Sequence, residues 1–348
     1  SNFGSIFWSS WLHFGIQKTG SSSFQFLLHK YQEKLRDAGV VYLDPYFSLS
    51  PNPWCPAEVT SRAFFEQKKF SQFWLKNDRL LNFRDFVLGS IPASSRHLIL
   101  SNENFYPIVN PQGRLRFDLD ALRKFADYVT AEIRIVIFLR RQDEHLISYY
   151  QERVKASFRI NNASRDFLAL PADLDAYARV VTRTNYYDYA GQIARLQERF
   201  PVQIQLMEDA IRGPGLMASH CELFQLPLAC AQLDVSKNVG LEAHATVALR
   251  RFLANSHQHG LKQQQMLRAK NHLFRHHTGG PKLDLELETK TEIMDFHRQA
   301  NEALLQDFCG LNTNSELLAP PHMPSVTTAE INASRVDALV DELVRLTT

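Results

Sequence analysis

"LHFGIQKTGSSSFQFLLHKYQEKL", Leu12 to Leu35, joins an apolar run to a helical pattern through a short polar segment. An apolar run from Phe7 to Phe14 reads as a buried strand, and Phe24, Leu27, Leu28, Tyr31 and Leu35 recur at helical spacing, with Gly39 placed to end the helix. Between them, Gly15-Ile16-Gln17-Lys18-Thr19-Gly20-Ser21-Ser22-Ser23 is small, polar and glycine-punctuated. Such a turn at a helix amino end can aim successive N–H groups at one anion, reinforced by the helix dipole and here by three hydroxyls. A serine-capped turn is the plainer alternative. A lysine inside the loop favours a phosphate cradle.

On either side of this loop and along the rest of the chain, strands and helices alternate. Val40 to Leu43, His97 to Ser101, Ile133 to Leu139 and Val202 to Met207 read as buried strands. Helical patterns cover Leu119 to Thr130, Glu144 to Ala156, Tyr187 to Arg199 and Leu216 to Leu226, and later Leu241 to Leu253, Thr289 to Phe308 and Ala333 to Leu346. This order predicts an α/β protein with a mainly parallel central sheet covered on both faces, which binds its ligand at the carboxyl ends of the strands. The polar run His257 to Lys282 is expected to be an exposed loop or lid. We expect a single domain over 1–348, with a nucleotide-binding core at about 6–235 and a helical, lid-like portion at about 236–348.

With 39 basic against 37 acidic residues, no global field favours nucleic acid or a membrane surface, and any anion site must be local. No apolar run approaches the roughly 20 residues of a membrane span. Cys55, Cys221, Cys230 and Cys309 lack CxxC spacing, so buried or free thiols and a reducing, cytoplasmic setting are expected. Ser1-Asn2, without a methionine, looks like the remnant of a cleaved tag, and a natural leader could have been lost with it.

Gly15 and Gly20 have the separation of a Walker A loop, GxxxxGK[ST]. The position after Gly20 is Ser21, however, and the lysine stands earlier, at Lys18. "HFGIQKTGSSSFQ" instead resembles the 5′-phosphosulfate loop of sulfotransferases, with their K-T-G-[ST]-[ST] core. "VIFLRRQDEHLISYYQ", Val136 to Gln151, resembles that family's 3′-phosphate motif, an arginine ending a strand and a serine eight residues later: Arg140 and Ser148, with Tyr149 following. Arg141 reads as a neighbour facing solvent or adenosine. Weaker resemblances bring the likeness to most of Leu12 to Asn255.

The resemblance implies a P-loop NTPase-like three-layer sandwich and 3′-phosphoadenosine-5′-phosphosulfate (PAPS) as co-substrate, with no metal. The sulfuryl group would pass in line to a hydroxyl or amine of a small-molecule or glycan acceptor. It implies that Lys18 meets the bridging oxygen and the 5′-phosphate. Thr19, Gly20, Ser21, Ser22 and Ser23 would hold phosphate and sulfuryl oxygens, while Arg140 and Ser148 hold the 3′-phosphate. The general base is read as Glu103, at the end of "HLILSNENFYP", with His13 as rival. His276 and His277, being adjacent, point apart and give no reason to expect a metal. The basic "HHTGGPK", His276 to Lys282, could reach the 3′-phosphate, and Lys262 to Lys270 an anionic acceptor. The aromatic run from Tyr46 to Trp74 could stack on sugars. An ATP-dependent small-molecule kinase and a non-catalytic nucleotide- or glycan-binding relative are the alternatives.

Overall fold

The computed structural model describes residues 9–16, 18–43, 97–101, 106, 119, 123, 132–227, 240–308 and 315–347. The chain divides into two compact units. The first comprises 1–141, 188–235 and 300–317, and the second 142–187, 236–299 and 318–348.

The first unit is built on five strands: β1 Ser9–Gly15, β2 Val40–Leu43, β3 His97–Ser101, β4 Ile133–Leu139 and β5 Val202–Leu206. They form one sheet in the order β2-β3-β1-β4-β5, and every pairing is parallel. A near-continuous apolar run such as IRIVIFL suits a strand buried on both sides, and six of the seven β4 residues are buried. The first helical stretch is two helices, α1 Ser21–Lys30 and α2 Gln32–Asp37, broken at Tyr31. Gly39 then turns the chain into β2 with φ +81°, a backbone conformation that L side chains avoid.

Trp11, Phe24, Leu28, Ile99, Phe138 and Phe224 are core residues of one cluster. Phe224 lies just beyond α8 (Leu216–Leu223), which follows α7 (Met207–Arg212) on the chain leaving β5. Phe24 is fully buried, its ring stacked on Phe224 at 4.8 Å between centroids.

Cys221 on α8 is disulfide-bonded, which corrects the expectation of four reduced thiols. Spacing motifs do not reveal a pair that only the fold brings together, and such bonds persist in oxidising surroundings. Thiol titration of the unfolded chain should therefore gain at least two equivalents on prior reduction. An equal count before and after would remove the bond.

In the second unit, α3 Gln142–Ala156, α4 Asn162–Ala169 and α5 Leu174–Val181 are followed, past α6 (Tyr189–Gln197) of the first unit, by α9 Ala243–Gln258 and α10 Gln263–His276. Helix α11, Leu287–Asp307, crosses the division between the units, and α12 is Ala333–Thr347. Two short strands, β6 Leu283–Asp284 and β7 Val326–Thr327, pair in parallel. Arg250 on α9 is buried over the Phe167 ring, 4.5 Å from its centroid, and donates to the carbonyls of Leu170 and Pro171.

The run His257 to Lys282 is not the loop its polarity implied, because Gln263 to His276 is helical. Gln, Lys, Arg, Leu and Met are good helix formers, and Met266, Ala269 and Leu273 give the segment a narrow buried stripe. No helix among the described residues is long and apolar enough to cross a membrane.

Candidate functional site

The parallel register places the site. Gly15 of β1 lies opposite Phe138 of β4, and Leu139 of β4 opposite Leu206 of β5. The residues that follow these strands therefore emerge at one end of the sheet: Ile16 and Lys18 to Gly20 from β1, Arg140 and Arg141 from β4, Met207 and Glu208 from β5.

The loop from β1 to α1 is tightly folded. Thr19 is fully buried and its Oγ1 donates to the carbonyl of Ile16 at 2.6 Å; Ser21 Oγ lies 3.4 Å from the same hydroxyl. Gly20 caps α1 in the left-handed conformation, φ 84° and ψ 7°, and supplies no side-chain cap bond to the first amides. The backbone there calls for glycine, and a Cβ would stand 2.5 Å from Leu216 Cδ2, so that side chain would have to turn aside. Lys18 also has positive φ, 69°, which costs a lysine about 1–2 kcal/mol. Strain of this kind persists where the surroundings over-determine it, often at ligand sites. The first turn of α1 contains no acidic residue, so its dipole faces outward uncompensated by a neighbouring carboxylate on the helix.

Two motifs far apart in sequence meet here. The Arg140 guanidinium donates through NH1 to the carbonyl of Lys18 at 3.3 Å and through Nε to Glu208 Oε1 at 3.2 Å. Glu208 takes the backbone N–H of Arg141 on its other oxygen, and the Tyr189 hydroxyl donates to the Arg140 carbonyl. Glu208 thus fixes the arginine against the loop. Sequence reading missed it, because only the β4–β5 register makes a carboxylate just after β5 a neighbour of an arginine just after β4.

Arg141 does not face solvent or an open pocket. It is completely buried and donates to the Glu316 carbonyl at 2.6 Å. Ser148 is half-buried on α3, in the second unit. Ser23 is half-buried in the first turn of α1, whereas Ser22 takes part as a backbone position of that turn. Glu103 and the Tyr46 to Trp74 run lie outside the described residues. Tyr106, three residues beyond Glu103, sits edge-on to Tyr189.

His13 lies in the core. Its Nδ1 pairs with Ser101 Oγ at 2.7 Å, and Gln25 of α1 donates to the same hydroxyl, so the trio ties β1, β3 and α1 together. The rings of Phe24, Phe138, His220 and Phe224 stand around it at 5.4–5.7 Å. His220 lies flat on Phe138, 3.6 Å away, and its Nδ1 faces the Leu216 carbonyl. Burial holds His13 well below the ordinary histidine value, with His220 adding to the effect, and burial lowers His220 to about 3. Both rings are neutral at pH 7.

A separate pocket of about 550 Å³ runs beside β5, lined among others by Trp11, Arg134, Gln203, Gln205 and Glu222, and shares no residue with the loop.

No family model matches the chain. Over 212 residues it is 21% identical to an uncharacterized protein of Archaeoglobus fulgidus; the match takes in 58% of this chain and 54% of the other, so the chain spans about half the length of that curated relative. Among solved structures, a sulfotransferase from Alicyclobacillus acidocaldarius is 15% identical, with coverage of 72% of this chain and 95% of that one and a TM-score of 0.35. The sulfotransferase domain of the olefin synthase of Synechococcus PCC 7002 is also 15% identical, with 69% and 82% coverage and a TM-score of 0.29. Sulfotransferases are thus among the solved structures to which the chain is similar, and they are the family that its K-T-G-S-S-S loop and its Arg140–Ser148 spacing resemble.

Proposed function

We propose that the protein is a PAPS-dependent sulfotransferase on a P-loop-like three-layer α/β core. One observation carries the reading: the K-T-G-S-S-S loop and the strand-end arginine, 122 residues apart, are joined by the bond from Arg140 to the Lys18 carbonyl. An anion held by the α1 amides would therefore lie beside a guanidinium capable of forked bonds to phosphate. A Walker-type kinase would need its lysine after Gly20 and gives Arg140 no such place.

In this reading Lys18 neutralises the bridging oxygen as the S–O bond to the 5′-phosphate breaks, and Gly20 with Ser21 to Ser23 holds the phosphate and sulfuryl oxygens. Arg140, oriented by Glu208, receives the 3′-phosphate. Little covalent chemistry falls to the protein, so positioning and charge complementarity supply the rate. Glu103 takes the proton from the acceptor hydroxyl or amine. His13, enclosed by rings, holds β1 to β3 beneath the loop. A glycan acceptor is the working choice, resting on the aromatic run from Tyr46 to Trp74.

Calorimetry with adenosine 3′,5′-bisphosphate, competed against 5′-AMP, ADP and ATP, tests the donor class. Binding should require the 3′-phosphate and weaken at least about 10-fold in Arg140→Ala. Preference for ATP with a silent Arg140→Ala would replace the sulfotransferase reading by the kinase one.

A further inference from the structure

We infer that His272, His277 and Glu342, in the second unit, bind one divalent cation of the zinc class. His272 lies one turn before the end of α10, His277 is the residue that caps it, and Glu342 comes from α12, against which α10 packs. One ligand atom from each lies within 4.8 Å of the other two, and His272 Nε2 is 2.7 Å from Glu342 Oε1. In a tetrahedral site with bonds of about 2.0–2.1 Å, ligand atoms stand about 3.3 Å apart. Side-chain rotation covers the difference. The residues are half-buried, so an ion can reach them.

The surroundings of His277 point the same way. Its Nδ1 is 3.3 Å from Glu242 Oε1, and the Glu242 amide donates to the His277 carbonyl at 3.0 Å, so one residue fixes both the backbone and the ring. Arg335 holds the same carboxylate oxygen at 2.7 Å. Gly280 makes room for Glu242, since a Cβ there would stand 2.6 Å from its Oε2. A carboxylate that orients a ligand's imidazole from behind is the usual outer partner of a zinc-bound histidine. The site also sits at the negative end of the α10 dipole. Two imidazoles and one carboxylate favour Zn²⁺, Co²⁺, Ni²⁺ or Cu²⁺ over Mg²⁺ and Ca²⁺, and three protein ligands leave a position for water. The sequence hid the site because the adjacent pair His276-His277 drew attention, while the partners are five residues upstream and in a different helix.

The full chain, freed of affinity histidines and stripped with chelator, is titrated with Zn²⁺ by calorimetry and with Co²⁺ by visible absorption. The expected result is saturation at one ion per chain, with Co²⁺ bands of low-coordinate N/O ligation. His272→Ala and His277→Ala should each weaken binding at least about 10-fold, and Glu242→Gln by roughly 10-fold. Circular dichroism of the metal-free variants monitors the fold. If an alanine variant unfolds, His272→Gln and Glu342→Gln carry the same comparison. Absence of saturable binding, or a titration unchanged in His272→Gln/His277→Gln, overturns the site.

Discussion

If the protein is the sulfotransferase proposed above, Lys18→Gly should lower its turnover by about 10²–10³ while raising the stability of the protein by about 1 kcal/mol. The two effects have separate origins. Removing one preorganised cation from a developing negative charge typically carries that kinetic cost. Lys18 has φ 69°, however, and glycine adopts that conformation without the Cβ conflict. A lysine kept for structure would show the opposite pattern, with its loss destabilising the fold and leaving turnover intact. Single-turnover transfer from PAPS, paired with urea unfolding, reads both quantities. Reduced stability with unchanged turnover would remove Lys18 from the reaction.

Between pH 7 and pH 4.5 the protein should lose several kcal/mol of stability, chiefly through His13 and His220. Both have folded values below the unfolded value of 6.5, so as pH falls the unfolded chain takes up protons that the folded chain refuses. Stability is therefore complete above 6.5 and falls below it. Each such histidine costs about 1.4 kcal/mol per pH unit until its folded value is reached, which for His220 is about 3. For His220, two units of acidification then amount to about 2.7 kcal/mol, and His13 adds in the same direction. His220→Phe, which keeps a ring against Phe138, should flatten the slope. Urea unfolding as a function of pH measures it, and a flat profile from pH 7 to 4.5 would show that both rings become protonated in the folded state.

The strands of the first unit were legible because both faces are buried: Val40 to Leu43, His97 to Ser101 and Ile133 to Leu139 appear with the ends that their apolar runs imply. The loop before α1 was legible because glycine and serine mark a special backbone. What escaped was tertiary. Glu208 acquires a role only through the β4–β5 register, and Arg141 turns inward to a carbonyl 175 residues away. Residue type also misled: α10 is polar because only Met266, Ala269 and Leu273 need to be buried, and α4 and α5 are too short for their periodicity to stand out. The break at Tyr31 interrupts an apolar spacing that runs on unchanged from Phe24 to Leu35.

Leu216, the first residue of α8, presses on Gly20, and Cys221 of the same helix carries a disulfide. The helix that backs the loop is thus covalently tethered, and reducing that bond should loosen the wall against which the loop is set. Affinity for an anion at the loop should then vary with the redox history of a preparation: protein made in a reducing host and protein oxidised after purification are two different reagents, and a weak or irreproducible binding curve calls for a thiol count before it counts against the site.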